Sequence, residues 1–111
     1  MRRILSLIVA VLTAGCGSPD DAPESPDFVI DVRTKGEFDS GHIENALNIP
    51  FETIGDRIAG VTQDKGATIV VYCRSGRRSG IALKTLEGMG YTNGVNVGGY
   101  EGYKRRLPIS D

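Results

Sequence analysis

The stretch TIVVY (68–72) is the feature that most limits what this chain can fold into. All five of its residues favour β-strands, and none carries a charge. A strand without a polar face predicts burial on both sides, as in a parallel sheet. The segment 78–90 follows after a short glycine-containing turn, with Ile81, Leu83 and Leu86 at helical spacing. A buried strand followed by a helix indicates an α/β fold.

The rest of the chain repeats this alternation. The sequence pattern predicts strands over 28–32, 46–50, 68–72 and 94–97, and helices within 34–43, 51–61, 78–90 and 99–106. We therefore predict an α/β domain, in which a small parallel sheet is flanked by helices on both faces. Functional sites in such sheets lie beyond the carboxyl ends of the strands, which is where Cys73 is expected.

The first 15 residues are typical of an export signal. A basic MRR start precedes the apolar run ILSLIVAVL (4–12), and small residues lead to Cys16. The run is shorter than the roughly 20 residues that span a bilayer. Its ending resembles a bacterial lipobox, whose cysteine is lipidated, although Thr13 stands where leucine is usual. We expect a lipoprotein-type signal peptide over 1–15 and a lipid on Cys16; the alternative is nearby cleavage and free secretion.

The segment 16–27 reads as a lipidated cysteine and a linker. Residues 17–27 hold three prolines and four acidic residues, without apolar periodicity. The domain is then expected over 28–111, on the periplasmic side of a bacterial cell envelope and anchored to the membrane by its lipid. The net charge of −1 gives no case for nucleic-acid binding. Without residues 1–15, 11 Lys and Arg face 14 Asp and Glu, a side-chain charge of −3.

The two cysteines are expected to have different fates. With Cys16 on a tether, Cys73 has no disulfide partner, and a free thiol in an oxidising compartment is explained either by full burial or by chemistry. Cys73 begins the loop CRSGRRS (73–79), where three arginines and a following helix N-terminus favour the thiolate. Gly76 permits backbone N–H groups to converge on an anion.

Two anion chemistries suit a cysteine in such a loop. Phosphoryl transfer, as in tyrosine-phosphatase-like enzymes, needs an arginine after five intervening residues, but Ser79 occupies that position. Arg77 and Arg78 fall short of it, so the loop is too small for a phosphate. Sulfur transfer fits better, because the terminal sulfur of a persulfide is smaller than a phosphoryl group.

Three separated motifs give the chain a family resemblance. They are DVRTKGEFDSGHIENALNIP (31–50), VVYCRSGRRS (70–79) and GYTNGVNVGGYEGY (90–103). Together they resemble a single-domain rhodanese, a thiosulfate sulfurtransferase, and most of all the small exported phage-shock type. The resemblance covers about residues 28–108. Two departures are Tyr103, where the family often has Trp, and the lack of room for an extra N-terminal strand, which predicts a reduced sheet.

The resemblance implies a role for each residue of the loop. Cys73 would be the nucleophile that forms the persulfide. The backbone of residues 74–78 would cradle the transferred sulfur, and the arginine side chains would attract an anionic donor such as thiosulfate; these substrate-binding residues are Arg74, Ser75, Gly76, Arg77 and Arg78. Arg77 is the side chain that we most expect to contact the donor. No metal or organic cofactor is expected, since the cysteine itself carries the sulfur, and the acceptor is not identified.

Four polar residues outside the loop are interpreted as structural support. Asp31 and Arg33 end the first strand, and we expect them to pair with each other or with Glu37. His42 is the only histidine and would suggest a general base, but the family pattern places it at a turn.

Ser79 is expected at the start of a helix, and Gly98 and Gly99 are expected to shape a turn.

The sequence leaves two functional classes open. The first is an enzyme, a thiosulfate sulfurtransferase of the cell envelope. The second is a non-enzymatic module that carries persulfide or docks another protein. The intact loop with its cysteine favours the enzyme.

Overall fold

The computed structural model describes Pro23 and residues 25–107. The strands are β1 (Phe28–Asp31), β2 (Leu47–Asn48), β3 (Ile69–Cys73) and β4 (Gly94–Gly99). The helices are α1 (Lys35–Asp39), α2 (Ile54–Val61), α3 (Arg77–Gly88) and α4 (Tyr100–Arg106). The expected signal peptide, Cys16 and most of the linker lie outside the described residues. Within the described residues, no helix combines the length and the hydrophobicity that a membrane span needs.

The four strands form one parallel sheet with the order β2-β1-β3-β4. Parallel neighbours need a crossover connection, and the helices between the strands supply it. β3 lies between two neighbours, and all five of its residues are buried. β3, the strand without a polar face, thus lies inside the sheet, where neither of its faces contacts solvent. Because all strands run the same way, their carboxyl ends meet at one edge of the sheet.

The two faces of the sheet carry separate apolar cores. On one face, Ile69 and Val71 of β3 pack with buried residues of α2 and α3, among them Ile58 and Leu86. On the other, Val70 and Tyr72 pack with Tyr103 of α4, and Phe38 of α1 borders the cluster. Successive residues of β3 point to opposite faces and are buried on both. The predicted α/β fold, a small parallel sheet flanked by helices on both faces, is confirmed.

The observed strands differ from the predicted ones at their ends. β3 extends to Cys73, which pairs with Gly99 of β4 after an irregularity in the register. Cys73 is therefore the last strand residue and does not follow the strand. β2 is only two residues long, and its backbone continues with Ile49 N–H donating to the carbonyl of Asp31 (3.0 Å). The sequence predicted a reduced sheet, and the described residues form a sheet of four strands.

The turn between β3 and α3 depends on one glycine. Gly76 caps α3 with a φ of 101°, a left-handed conformation that glycine adopts without strain. Its carbonyl accepts from Gly80 N–H at 2.9 Å, which closes the first turn of the helix. Ser79, which was expected at the start of a helix, is the third residue of α3 and is completely buried; its side chain does not cap the helix. The chain therefore turns back sharply enough to place the first turn of α3 beside Cys73.

Candidate active site

Cys73 lies at the carboxyl edge of the sheet with hydrogen-bond donors around its sulfur. The residue is 1% exposed, and it is the free cysteine among the described residues. The backbone N–H of Gly76 donates to Sγ at 3.0 Å, and the Ser79 hydroxyl lies 3.5 Å from Sγ. The thiol is therefore buried, as a free cysteine with a purely structural role would be. It is also surrounded by hydrogen-bond donors, which a purely structural cysteine would not need.

The surroundings of Cys73 lower the pKa of its thiol from 9.0 to about 7. Burial acts in the opposite direction, because it disfavours the charged form. Hydrogen bonds to the sulfur outweigh it; they come from the Ser79 hydroxyl and from the backbone N–H groups of Ser79, Ser75 and Gly76. A thiolate is the reactive form of cysteine, so this loop favours the reactive form of Cys73 near neutral pH.

The three arginines of the loop take different positions. Arg78 donates to Glu37 in a two-point ion pair, with Nη1 to Oε1 at 2.9 Å and Nη2 to Oε2 at 3.2 Å. Arg74 is 72% exposed, and its Nη1 only approaches Glu37 Oε2 at 4.0 Å. Arg77 is exposed and has no ion-pair partner within the described part of the chain. Arg74 and Arg77 therefore keep the charge that could attract an anionic donor, whereas that of Arg78 is compensated.

Glu37 connects α1 to the loop. Thr34 and Glu37 form a reciprocal cap at the start of α1, in which Thr34 N–H donates to Glu37 Oε1 at 3.0 Å. The hydrogen bond from Arg78 is the largest influence on this carboxyl and, with those from Thr34, lowers its pKa to about 2. The carboxylate stays charged over the whole neutral range and holds Arg78 in place.

Asp31 and Arg33 pair with each other, one of the two alternatives expected. Arg33 donates from Nε to both carboxylate oxygens (2.9 and 3.1 Å) and from Nη2 to Oδ2 (2.7 Å). Nη2 also donates to the carbonyl of Gly41 at 2.6 Å, and the guanidinium lies 4.8 Å from the ring centre of Tyr100. Asp31 is completely buried and Arg33 is 5% exposed. The pair fixes the loop after β1 and lies at the site edge of the sheet.

His42 does not reach the loop. Its ring stacks on Phe38 with centroids 3.6 Å apart, and its Nδ1 lies 2.8 Å from the carbonyl oxygen of Phe38. The side chain is exposed, and none of its contacts in the described structure involves Cys73. The contacts of His42 are thus with Phe38 of α1, and its structural role stays a prediction.

A cleft of about 250 Å³ adjoins the loop through Arg74. Its lining carries both charges and consists of Arg33, Glu37, Ser40, Gly41, Arg74, Tyr100 and Glu101. Among residues 25–107, no three His, Cys, Asp or Glu side chains cluster in a way that could hold a metal ion.

Two residues of β4 complete the site and were not predicted to belong to it. The backbone of Gly99 lies against the Arg74 carbonyl so closely that any Cβ would overlap that oxygen. Asn96 accepts from the Ser79 hydroxyl at 2.7 Å and donates from Nδ2 to the Gly76 carbonyl at 3.1 Å. An asparagine inside a strand otherwise made of Gly and Val was the available signal, because asparagine is unfavourable there without a specific partner.

Comparison with known proteins finds a matching family model and several relatives. The family model of the rhodanese-like domain matches residues 18–106. The chain is 44% identical over 70 residues to thiosulfate sulfurtransferase PspE of Escherichia coli strain K12, covering 63% of this chain and 67% of that protein. It is 37% identical over 84 residues to a sulfurtransferase of Allochromatium vinosum, covering 74% of this chain and 77% of that one.

A solved structure shares the fold. The structure described as a rhodanese with anions from E. coli superposes with a TM-score of 0.67 at 38% sequence identity. The match covers 76% of this chain and 98% of that chain.

Proposed function

The chain belongs to the rhodanese-like family and is a sulfurtransferase of the rhodanese type, and we propose that it moves sulfane sulfur through a persulfide on Cys73. The observation that carries this proposal is the set of donors around Sγ. A cysteine kept only for packing would have apolar neighbours and a raised pKa, whereas this thiol receives hydrogen bonds and has a pKa of about 7.

The proposed reaction has two displacement steps. The Cys73 thiolate attacks the sulfane sulfur of thiosulfate; an S–S bond forms to Sγ, the bond to the sulfonate sulfur breaks, and its electron pair leaves with sulfite. A nucleophilic acceptor such as cyanide then attacks the terminal sulfur of the persulfide. A C–S bond forms, the S–S bond breaks, and the electron pair returns to Sγ as the thiolate. The cycle needs no oxidant and no proton transfer to a dedicated base.

The loop suits an anionic donor. Arg74 and Arg77 lie in the exposed part of the loop, and the N–H of Gly76 already points at Sγ. A dianion that approaches would meet positive charge before it reaches the sulfur. We propose Arg77 and Arg74 as the side chains that attract the donor, with Ser75, Gly76 and Arg78 contributing backbone groups. The non-enzymatic carrier considered from the sequence is supported by no contact described above.

The direct test of this function is sulfur transfer from thiosulfate to cyanide by the purified chain. We expect equal amounts of sulfite and thiocyanate, each rising linearly with enzyme concentration. Persulfide formation without turnover to any thiophilic acceptor would instead support a passive carrier.

The pH dependence of the reaction is a second prediction. With a pKa of about 7, half of Cys73 is thiolate at neutral pH, against about one per cent for a thiol whose pKa is 9.0. Since the thiolate is the deprotonated form, kcat/KM for thiosulfate should rise about tenfold per pH unit below neutrality and level off above about pH 8. The measurement is kcat/KM between pH 5 and 10. A midpoint near 9 would show that the hydrogen bonds do not activate the thiol.

We further propose that the chain works in the cell envelope, anchored through a lipid on Cys16. The support is sequence alone: the apolar run 4–12, the small residues before Cys16 and the acidic linker. Cys16→Ala should move the protein from the membrane fraction to the soluble fraction of a bacterial cell. A protein that stays on the membrane after this change would contradict the anchor, and Cys73→Ala serves as the control that should stay bound.

A further inference from the structure

Ser79 is a buried polar residue with two partners for one proton. Its Oγ lies 2.7 Å from Asn96 Oδ1 and 3.5 Å from Cys73 Sγ. The residue is completely buried, and its place in the first turn of α3 keeps the hydroxyl close to both partners. A hydroxyl can donate only once, although it can also accept. The Ser79 hydroxyl can therefore donate to the amide oxygen or to the sulfur, but not to both.

Backbone groups fix the orientation of the Asn96 amide. Oδ1 accepts from the N–H of Gly98 at 2.9 Å, and Nδ2 donates to the carbonyl of Gly76 at 3.1 Å. A backbone N–H can only donate and a carbonyl can only accept, so a flipped amide would lose both bonds. The group that faces Ser79 is thus an acceptor in every protonation state of the site.

The charge on Cys73 determines whether the Ser79 hydroxyl donates to Asn96 Oδ1 or to Cys73 Sγ. When Cys73 is a thiol, its S–H can donate to Ser79 Oγ while the hydroxyl donates to Asn96 Oδ1, so that each donor has an acceptor. When the thiol proton has left to solvent, an unchanged hydroxyl would present its lone pairs to a negative sulfur. Rotation about the Cβ–Oγ bond turns the proton to Sγ, and the Gly98 N–H still satisfies Oδ1.

We propose that Ser79 and Asn96 form a hydroxyl switch, in which the single Ser79 proton points to Asn96 while Cys73 is a thiol and to Sγ once it is a thiolate. Both are positioning residues. Ser79 favours the thiolate, and Asn96 favours the thiol by competing for the same proton. The switch assists sulfur transfer only if Cys73 carries the sulfur, and to that extent it rests on the proposed function.

Other charged groups also lie near the sulfur. Arg78 of α3 lies close enough to Cys73 to interact with its charge and is held by Glu37 of α1. The same edge of the sheet also carries the Asp31–Arg33 pair at the end of β1, the exposed Arg74 and Arg77 of the loop, and Glu101 of α4 in the adjoining cleft. The variants below leave all these groups in place, so a change in thiolate formation can be assigned to the switch.

The test follows the alkylation of Cys73 by iodoacetamide against pH in the full chain. The peptide that contains Cys73 is quantified by mass spectrometry, which separates it from Cys16. Because Cys73 is nearly covered, the absolute rate also depends on access, and the pH midpoint is the readout. Iodoacetamide needs no sulfur donor, so failure of the switch and failure of sulfur transfer are distinguishable.

The two single variants should shift the midpoint in opposite directions. Ser79→Ala removes a donor to the thiolate and should raise the midpoint by about one pH unit, whereas Ser79→Thr keeps a hydroxyl and should restore it. Asn96→Ala removes the competing acceptor and should lower the midpoint by about half a unit. In the Ser79→Ala background, Asn96→Ala should have no further effect. Asn93→Ala, an exposed asparagine just before β4, is the matched control and should leave the midpoint unchanged.

A midpoint that Asn96→Ala raises or leaves unchanged would overturn the switch, as would an effect of equal size in the Ser79→Ala background. Circular dichroism confirms the fold of each variant. If Asn96→Ala does not fold, Asn96→Leu takes its place, because leucine has nearly the shape of asparagine and likewise offers no acceptor to Ser79. Its midpoint should fall, and the fall should vanish when residue 79 is alanine; an equal fall in both backgrounds would also overturn the proposal.

Discussion

Replacing Cys73 by serine should reduce sulfur transfer from thiosulfate to the level of the uncatalysed reaction, a loss on the order of a thousand-fold or more. A serine hydroxyl is almost fully protonated at neutral pH, and its oxygen cannot form the disulfide-like bond of a persulfide. The fold should tolerate the change. Oγ can still accept the N–H of Gly76, and the residue is small and already buried in the structure.

Cys16→Ser is the matched control, since it makes the same chemical change at the other cysteine of the chain. It should leave the rate constants of the purified protein unchanged. A Cys73→Ser variant with more than a few per cent of the activity would place the nucleophile elsewhere and would remove the basis of the proposed reaction.

Replacing Asp31 by alanine should have the largest effect on stability. It leaves the Arg33 guanidinium 5% exposed without its carboxylate, and breaking a buried pair in this way costs about 3–5 kcal/mol of the free energy of unfolding. The net stability of a domain is about 5–15 kcal/mol. The variant should therefore unfold at a much lower urea concentration, or fail to fold at 37 °C, as followed by circular dichroism.

Asp39→Ala is the control for this prediction. Asp39 also pairs with a cation, Lys35 at 2.8 Å, but the two side chains are 57% and 80% exposed. Its loss should change the free energy of unfolding by no more than about 0.5 kcal/mol. The double change Asp31→Leu with Arg33→Met should recover part of the lost stability, because no buried charge is left unpaired. Equal effects of Asp31→Ala and Asp39→Ala would contradict the structural role of the buried pair.

Much of the fold could be predicted from sequence because each signal is local. The strand 68–72 had no polar face, and the glycines near 76 and 90 marked both ends of α3, where each has a positive φ. Strand ends were less predictable. Whether Cys73 belongs to β3 depends on its pairing with Gly99, 26 positions further along the chain, and no local pattern reports that pairing.

In the candidate site, too, local features were predictable from the sequence and long-range contacts were not. The loop 73–79 could be identified from a run of neighbouring residues, but the partners of its side chains could not. Glu37 is 41 positions from Arg78, and Asn96 is 17 positions from Ser79. Such pairs depend on how α1, α3 and β4 meet at the edge of the sheet, so only the folded chain shows which charge is compensated and which hydroxyl faces the sulfur.

The most direct measurement is the intact mass of the purified chain after incubation with thiosulfate and removal of the excess. The account predicts a species heavier than the starting protein by about 32 Da, one sulfur atom, which a thiol reductant or cyanide removes. The added mass should map to the peptide that contains Cys73 and should be absent in Cys73→Ser. A chain that turns over thiosulfate without this adduct, or that gains the same mass in Cys73→Ser, would contradict a persulfide on Cys73.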